Sequence, residues 1–267
     1  MTEPAAENEH VDTKHLKVAK RGRGIYLLPN LLTTAGLFAG FFGVISALRG
    51  DFAGAAVAVL VAMVLDGFDG RIARMTNTAS AFGAEYDSMA DMVSFGVAPA
   101  LIVYQWSLSS MTQAGFGQLG WVAAFLYVAC AALRLARFNV QVAVADKRFF
   151  QGLASPSAAA IMILMVWVAE DVGSAGADLH ILAVLVTMAS GLLMVSNFAY
   201  YSFKDIGTNK RVPFVAIIVL VFVFVFTSLD PPKILLLGFT LYALSGPLWA
   251  AWRWMRKRRR QQEQPEQ

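Results

Sequence analysis

Residues 66–91 read DGFDGRIAR, eight further residues, then GAEYDSMAD, which gathers Asp66, Asp69, Asp87 and Asp91 at the ends of two long apolar runs. Charge beside or inside hydrocarbon is costly, so a like-charged cluster there is by default a site for cations, protons or a cationic ligand. Four close carboxylates cannot all stay ionised without compensation. Divalent cations supply it. Hard carboxylate oxygens suit Mg²⁺ or Mn²⁺ rather than zinc. Carboxylates shared between two ions suit a pair about 3.5–4 Å apart, an arrangement that holds a pyrophosphate and stabilises charge during attack at phosphorus. His10, His15 and His180 are too scattered to form a histidine metal site. Arg74 offers a planar fork matched to phosphate. Gly67, Gly70 and Gly83 remove side chains where a ligand would approach the backbone, and close helix packing is the alternative reason for them.

Positioning these groups requires helices. Asp66, Asp69, Gly70, Ala73 and Arg74 recur at three- and four-residue steps and fall on one face of a helix that outlasts its apolar run. Gly83, Asp87 and Asp91 do the same on the next helix, and the polar MTNTASA run at Met75 to Ala81 lets the two lie antiparallel. Two acidic stripes then converge.

The rest of the chain sets these helices in a bilayer. Of 267 residues, 57% are hydrophobic and 15% charged, and the apolar residues come in long runs rather than amphipathic stripes. Segments of roughly 17–25 residues, the length a bilayer requires, are expected at Leu27–Leu48, Phe52–Gly70, Phe82–Trp106, Leu119–Asn139, Ser155–Val172, Leu179–Tyr200, Val212–Leu229 and Ile234–Trp254. The expected fold is an all-α polytopic membrane bundle of about eight helices. It would span residues 26–255, between a polar N-terminal tail at 1–25 and a basic, then polar, tail at 256–267. In this register only Arg49 and Lys233 among the 22 Lys and Arg fall on the side away from the termini, so the positive-inside rule makes both termini cytoplasmic. The acidic cluster then opens to the cytoplasm, and a bacterial inner (cytoplasmic) membrane is the expected location. The first thirteen residues lack an apolar h-region after a basic start, which argues against a cleaved leader. Cys130 is a lone cysteine inside an expected span and reads as a small core residue. The Arg256–Arg260 run reads as a topology signal. A basic surface for nucleic acid has no folded soluble domain behind it, so nucleic acid is not an expected partner.

The pattern D-x-x-D-G-x-x-A-R, eight residues, G-x-x-x-D-x-x-x-D resembles the signature of the CDP-alcohol phosphotransferases, and all its fixed positions are matched. The resemblance implies displacement of CMP from a CDP-linked lipid or alcohol by a hydroxyl, with six core membrane helices and a two-metal site. It implies that Asp66, Asp69, Asp87 and Asp91 bind two divalent cations, Mg²⁺ or Mn²⁺. Asp91 is then also the candidate base, and Gly70, Ala73, Arg74 and Gly83 line the CDP site. LPNLLT at Leu28–Thr33, SFGVAPA at Ser94–Ala100, LRLARFN at Leu133–Asn139 and FFQGL at Phe149–Leu153 resemble the phosphatidylserine synthases within that family. This narrower likeness implies CDP-diacylglycerol and L-serine as substrates, in a setting of membrane lipids. Where that group has G-L-P-x-P-A-A the chain has GLASPSA, with Ala154 and Ser157 departing, which bears on acceptor details. Asn30 and Thr33 either contact the nucleotide or cap and pack the first helix. Arg134, Arg137 and Asn139 either grip a phosphate or the serine carboxylate, or serve topology and snorkelling. The family's habit of dimerising implies a homodimer, and the Gly36–Gly40–Gly43 steps allow close helix approach either between subunits or within one.

Two other readings stand beside this one. A sibling enzyme using glycerol 3-phosphate or inositol phosphate would need further basic residues for the acceptor phosphate. A divalent-cation transporter would need polar residues continuing to the far side, whereas the acids stop at one end of two helices.

Overall fold

A computed structural model describes residues 27–76, 78, 80–112, 115, 118–141, 149–201, 218, 221–222, 225 and 227–262. Helix α1 (Leu27–Leu48) and helix α2 (Phe52–Met75) form a hairpin whose turn is closed by Asp51, which accepts a hydrogen bond from the Gly54 amide at 2.8 Å. That cap satisfies one of the donors a helix start leaves unpaired. After a short connection Ser80 caps α3 (Ala81–Asp91) in the same way, accepting from Gly83 N at 3.0 Å. A π-helical turn (Met92–Val97) follows at once and runs into α4 (Ala98–Trp106).

The expected third span is thus one continuous helical run with a wide turn directly behind Asp91. A π turn is an unfavourable insertion that persists where other groups hold it, often at functional sites. Here Tyr127 Oη donates to Phe95 O at 2.8 Å, and Ser94 Oγ donates to Gly36 O of α1 at 3.3 Å.

Helix α5 (Leu119–Gln141) leads toward strand β1 (Phe149–Gln151), α6 (Ser155–Asp171), α7 (His180–Val195), strand β2 (Ala199–Tyr201) and α8 (Pro231–Gln262). The two strands pair antiparallel, Phe149 opposite Tyr201 and Gln151 opposite Ala199. This short ribbon is the one strand pairing among the described residues of an otherwise helical bundle. It clips the chain entering α6 to the chain leaving α7. Gly152 follows it with φ 80°, and an added Cβ would clash with Met194 O, so glycine is required there by both conformation and space.

Helix α6 is central. Residues 158–166 are buried without a break, as expected for a helix apolar on all sides, and it packs against α2, α4, α7 and α8. The outer helices expose large apolar side chains instead, among them Phe38, Phe41, Val61 and Phe125. Five described helices are long and apolar enough to cross a bilayer: Leu28–Leu48, Phe52–Met75, Leu119–Val140, Gly176–Val195 and Pro231–Arg256. These are five of the eight expected spans, and with the apolar surface they make an integral membrane helix bundle. Ser155–Val172 appears as the buried 17-residue α6, and Phe82–Trp106 as the π-interrupted run. The expected Val212–Leu229 span lies mostly outside the described residues.

Near its end α8 places Arg253, Arg256 and Arg258 over the rings of Trp249, Trp252 and Trp254 at 4.8, 4.5 and 3.9 Å. Such aromatic–cation pairs suit a membrane–water boundary.

The glycine steps of α1 are used inside the subunit. A Cβ on Gly40 would sit 2.8 Å from Ser94 Cα, and one on Gly43 would sit 3.1 Å from Ala55 O. This fixes α1 against α2 and the π turn, and it takes those glycines away from any argument for a homodimer.

Candidate active site

The last three turns of α2 and the length of α3 both line the site beside the first turns of α1. One carboxylate oxygen from each of Asp66, Asp69 and Asp87 lies within 4.8 Å of the others. Asp91 lines the same small inner cavity, but its oxygens stand outside that triad. The expected four-acid set therefore resolves into three converging oxygens with Asp91 beside them. Asp69 is the least exposed of the four, at 4%, and its Oδ2 accepts from Thr33 Oγ1 of α1 at 2.7 Å.

Beside this cavity is a larger open groove lined by Asn30, Thr33, Gly70, Ala73, Arg74 and Gly83, with Asp69 and Asp87. All six residues expected on the CDP side are thus brought together, and Thr33, Asp69 and Asp87 line both spaces. Around Gly67 and Gly70 an added Cβ would meet nothing within 4 Å, so close packing does not explain either glycine. Gly83 differs: a Cβ there would come within 3.1 Å of Ser80 Oγ and 3.4 Å of Asn30 Oδ1. Arg74 Nε donates to Gly70 O at 2.9 Å, which lays its side chain along the groove wall. Thr34 Oγ1 and Tyr86 Oη, 2.9 Å apart, tie α3 to α1.

The three polar residues ending α5 go to different places. Arg134 Nη1 donates to the buried Ser155 Oγ at 2.6 Å, and its guanidinium is within electrostatic reach of Asp91 and Asp66. Arg137 points to the ribbon, donating to Val195 O at 3.3 Å, Asn197 Oδ1 at 2.7 Å and Gln151 Oε1. Asn139 Nδ2 donates to Ser88 Oγ of α3 at 3.2 Å. Of the three, Arg134 is the one within electrostatic reach of the acidic cavity, and Arg137 is bound to the ribbon and the end of α7. Ser155, Gln151, Asn197, Ser88 and Tyr127 were not visible as partners in the sequence. Ser155 and Gln151 lie in the FFQGL and GLASPSA stretches, whose composition carries no sign of which arginine they meet.

The donor set fits a hard divalent cation. It offers carboxylate oxygens from facing helices, and neither histidine nor cysteine lines the two cavities. The sequence pattern of the CDP-alcohol phosphatidyltransferases matches residues 26–189, a stretch that holds both cavities. The chain belongs to the CDP-alcohol phosphatidyltransferase family.

Within that family it is similar to the CDP-diacylglycerol–serine O-phosphatidyltransferase of Helicobacter pylori, 37% identical over 201 residues that cover 75% of this chain and 83% of the relative. A protein of the same name from Mycobacterium tuberculosis is 39% identical over 150 residues, 54% of this chain and 50% of the relative. One from Saccharomyces cerevisiae is 36% identical over 154 residues, 52% and 53%. The phosphatidyltransferase match and the two cavities meet on the same residues.

Proposed function

We propose that the protein transfers the phosphatidyl group of CDP-diacylglycerol to the hydroxyl of L-serine, giving phosphatidylserine and CMP. The observation that carries this reading is the shared wall. The groove that gathers the family's nucleotide-side residues meets the acidic cavity at Asp69 and Asp87, where a pyrophosphate bridging the two would have to lie. The names of the relatives supply the substrates.

Each residue then has a task. Asn30, Gly70, Ala73 and Gly83 shape the groove for the cytidine half, with the glycines leaving room at the backbone. Arg74 grips a phosphate oxygen from the groove wall. Asp66, Asp69 and Asp87 would hold Mg²⁺ or Mn²⁺, which when bound neutralises charge on the pyrophosphate and the departing CMP. Asp91 accepts the proton of the serine hydroxyl as that oxygen bonds to the phosphorus bearing diacylglycerol and the bond from this phosphorus to the CMP oxygen breaks. Arg134, within electrostatic reach of Asp91, holds the serine carboxylate and so aligns the hydroxyl. Catalysis is positional and electrostatic, and no covalent enzyme intermediate is required.

In this reading the site opens to the cytoplasm at a bacterial inner membrane, and the enzyme works as a homodimer. A transport path is not favoured, because the acids stop at one end of two helices and the inner cavity's other lining residues include the apolar Leu37, Ala62, Ala90 and Phe95. The test is CMP release from CDP-diacylglycerol by the purified protein with L-serine, glycerol 3-phosphate or inositol phosphate offered separately, with and without EDTA. Serine-dependent, EDTA-sensitive release is expected. Release with another acceptor would keep the site and overturn the choice of serine.

A further inference from the structure

We infer that Thr33 serves the reaction through Asp69, as a positioning residue, and not through contact with the nucleotide. This rests on the reading of Asp66, Asp69 and Asp87 as cation ligands. Thr33 and Asp69 are 6% and 4% exposed, and they meet between the two cavities, where both line the wall. The Thr33 hydroxyl has one proton and two acceptors in range, Asp69 Oδ2 at 2.7 Å and Pro29 O at 3.1 Å. A charged acceptor makes the stronger and shorter bond, so the proton belongs to the carboxylate. The back-bond to the carbonyl four residues earlier, the usual fate of a helical threonine, is the longer of the two.

A carboxylate has about four lone-pair sites, so one accepted hydrogen bond fixes its orientation and leaves it able to ligate. The donor itself is rigidly held. Gly40 and Gly43 seat α1 against the π turn and α2, with no space for a side chain at Gly40, which fixes the helix that carries the hydroxyl. Groups of this kind orient ligating carboxylates, and their loss typically costs about 10–100-fold in metal affinity.

Thr33→Val keeps the shape and removes the donor, and Thr33→Ser keeps the donor. The experiment measures Mn²⁺ binding to the purified protein without substrate, by electron paramagnetic resonance of free Mn²⁺. It then measures the CDP-diacylglycerol KM at saturating Mn²⁺. Thr33→Val is expected to weaken Mn²⁺ binding by about 10–100-fold, with Thr33→Ser close to wild type. Its CDP-diacylglycerol KM at saturating Mn²⁺ should stay within about twofold of wild type, and that turnover also shows the variant to be folded. Equal Mn²⁺ binding by wild type and Thr33→Val would overturn the role of Thr33 alone, as would a raised KM with unchanged Mn²⁺ binding. A wild type that binds no Mn²⁺ would overturn it together with the cation site.

Discussion

On the acidic side of the site, Asp66, Asp69 and Asp87 come from two helices and bring their oxygens within 4.8 Å of one another. On the basic side, Arg134, Arg137 and Asn139 come from the last turns of a single helix and diverge to Ser155, to the β ribbon and to Ser88. The acidic side converges because its spacing follows the helix period on two consecutive helices joined by a short connection. Each residue of the basic side is aimed by a partner far along the chain. Residue type and spacing therefore foretell the convergence on the first side and not the divergence on the second, where two arginines three residues apart meet different partners.

Substitutions can break that contrast in order of size. Asp69→Asn or Asp91→Asn should lower kcat by at least about 10³-fold while the protein still inserts and purifies as wild type, since each removes a charge from the reacting centre. Normal turnover in either variant would remove the acidic side from the chemistry. Arg134→Gln should lower kcat/KM for L-serine by about 10²-fold, the scale expected when one member of a buried charge pair is neutralised. Serinol, which has the hydroxyl and amine without the carboxylate, should discriminate: its use should fall far less than that of serine, and an equal fall for both would assign Arg134 to another role.

Arg137→Gln should act on stability instead. Losing its hydrogen bonds at the ribbon costs about 1–3 kcal/mol, seen as a lower unfolding temperature with no selective loss of serine over serinol. The smallest effect expected is for Tyr127→Phe, which leaves Phe95 O of the π turn without its donor and should cost about 1–2 kcal/mol of stability. Activity would fall only as far as the π turn sets the angle of Asp91.

The same contrast explains what the sequence disclosed. Long apolar runs marked the helices, and the three- and four-residue steps from Asp66 to Arg74 and from Gly83 to Asp91 marked two faces that meet. The π turn had no such mark, because no residue type signals it. It is held by Tyr127 and Ser94, whose partners are set by tertiary packing. Strands of three residues that pair across two intervening helices are equally silent in a linear pattern. The glycine steps of α1 announced a close approach, but only the packing of Gly40 on Ser94 and Gly43 on Ala55 says that the approach is internal. Thr33 was visible as a residue near the nucleotide groove, and its bond to Asp69 was not.

The most direct test of the central claim is serine-dependent CMP release from CDP-diacylglycerol by the purified wild type and Asp91→Asn, side by side at saturating Mn²⁺. Release by the wild type that requires L-serine and disappears in Asp91→Asn is the predicted result. Equal release by both proteins, or release that does not depend on serine, would contradict it.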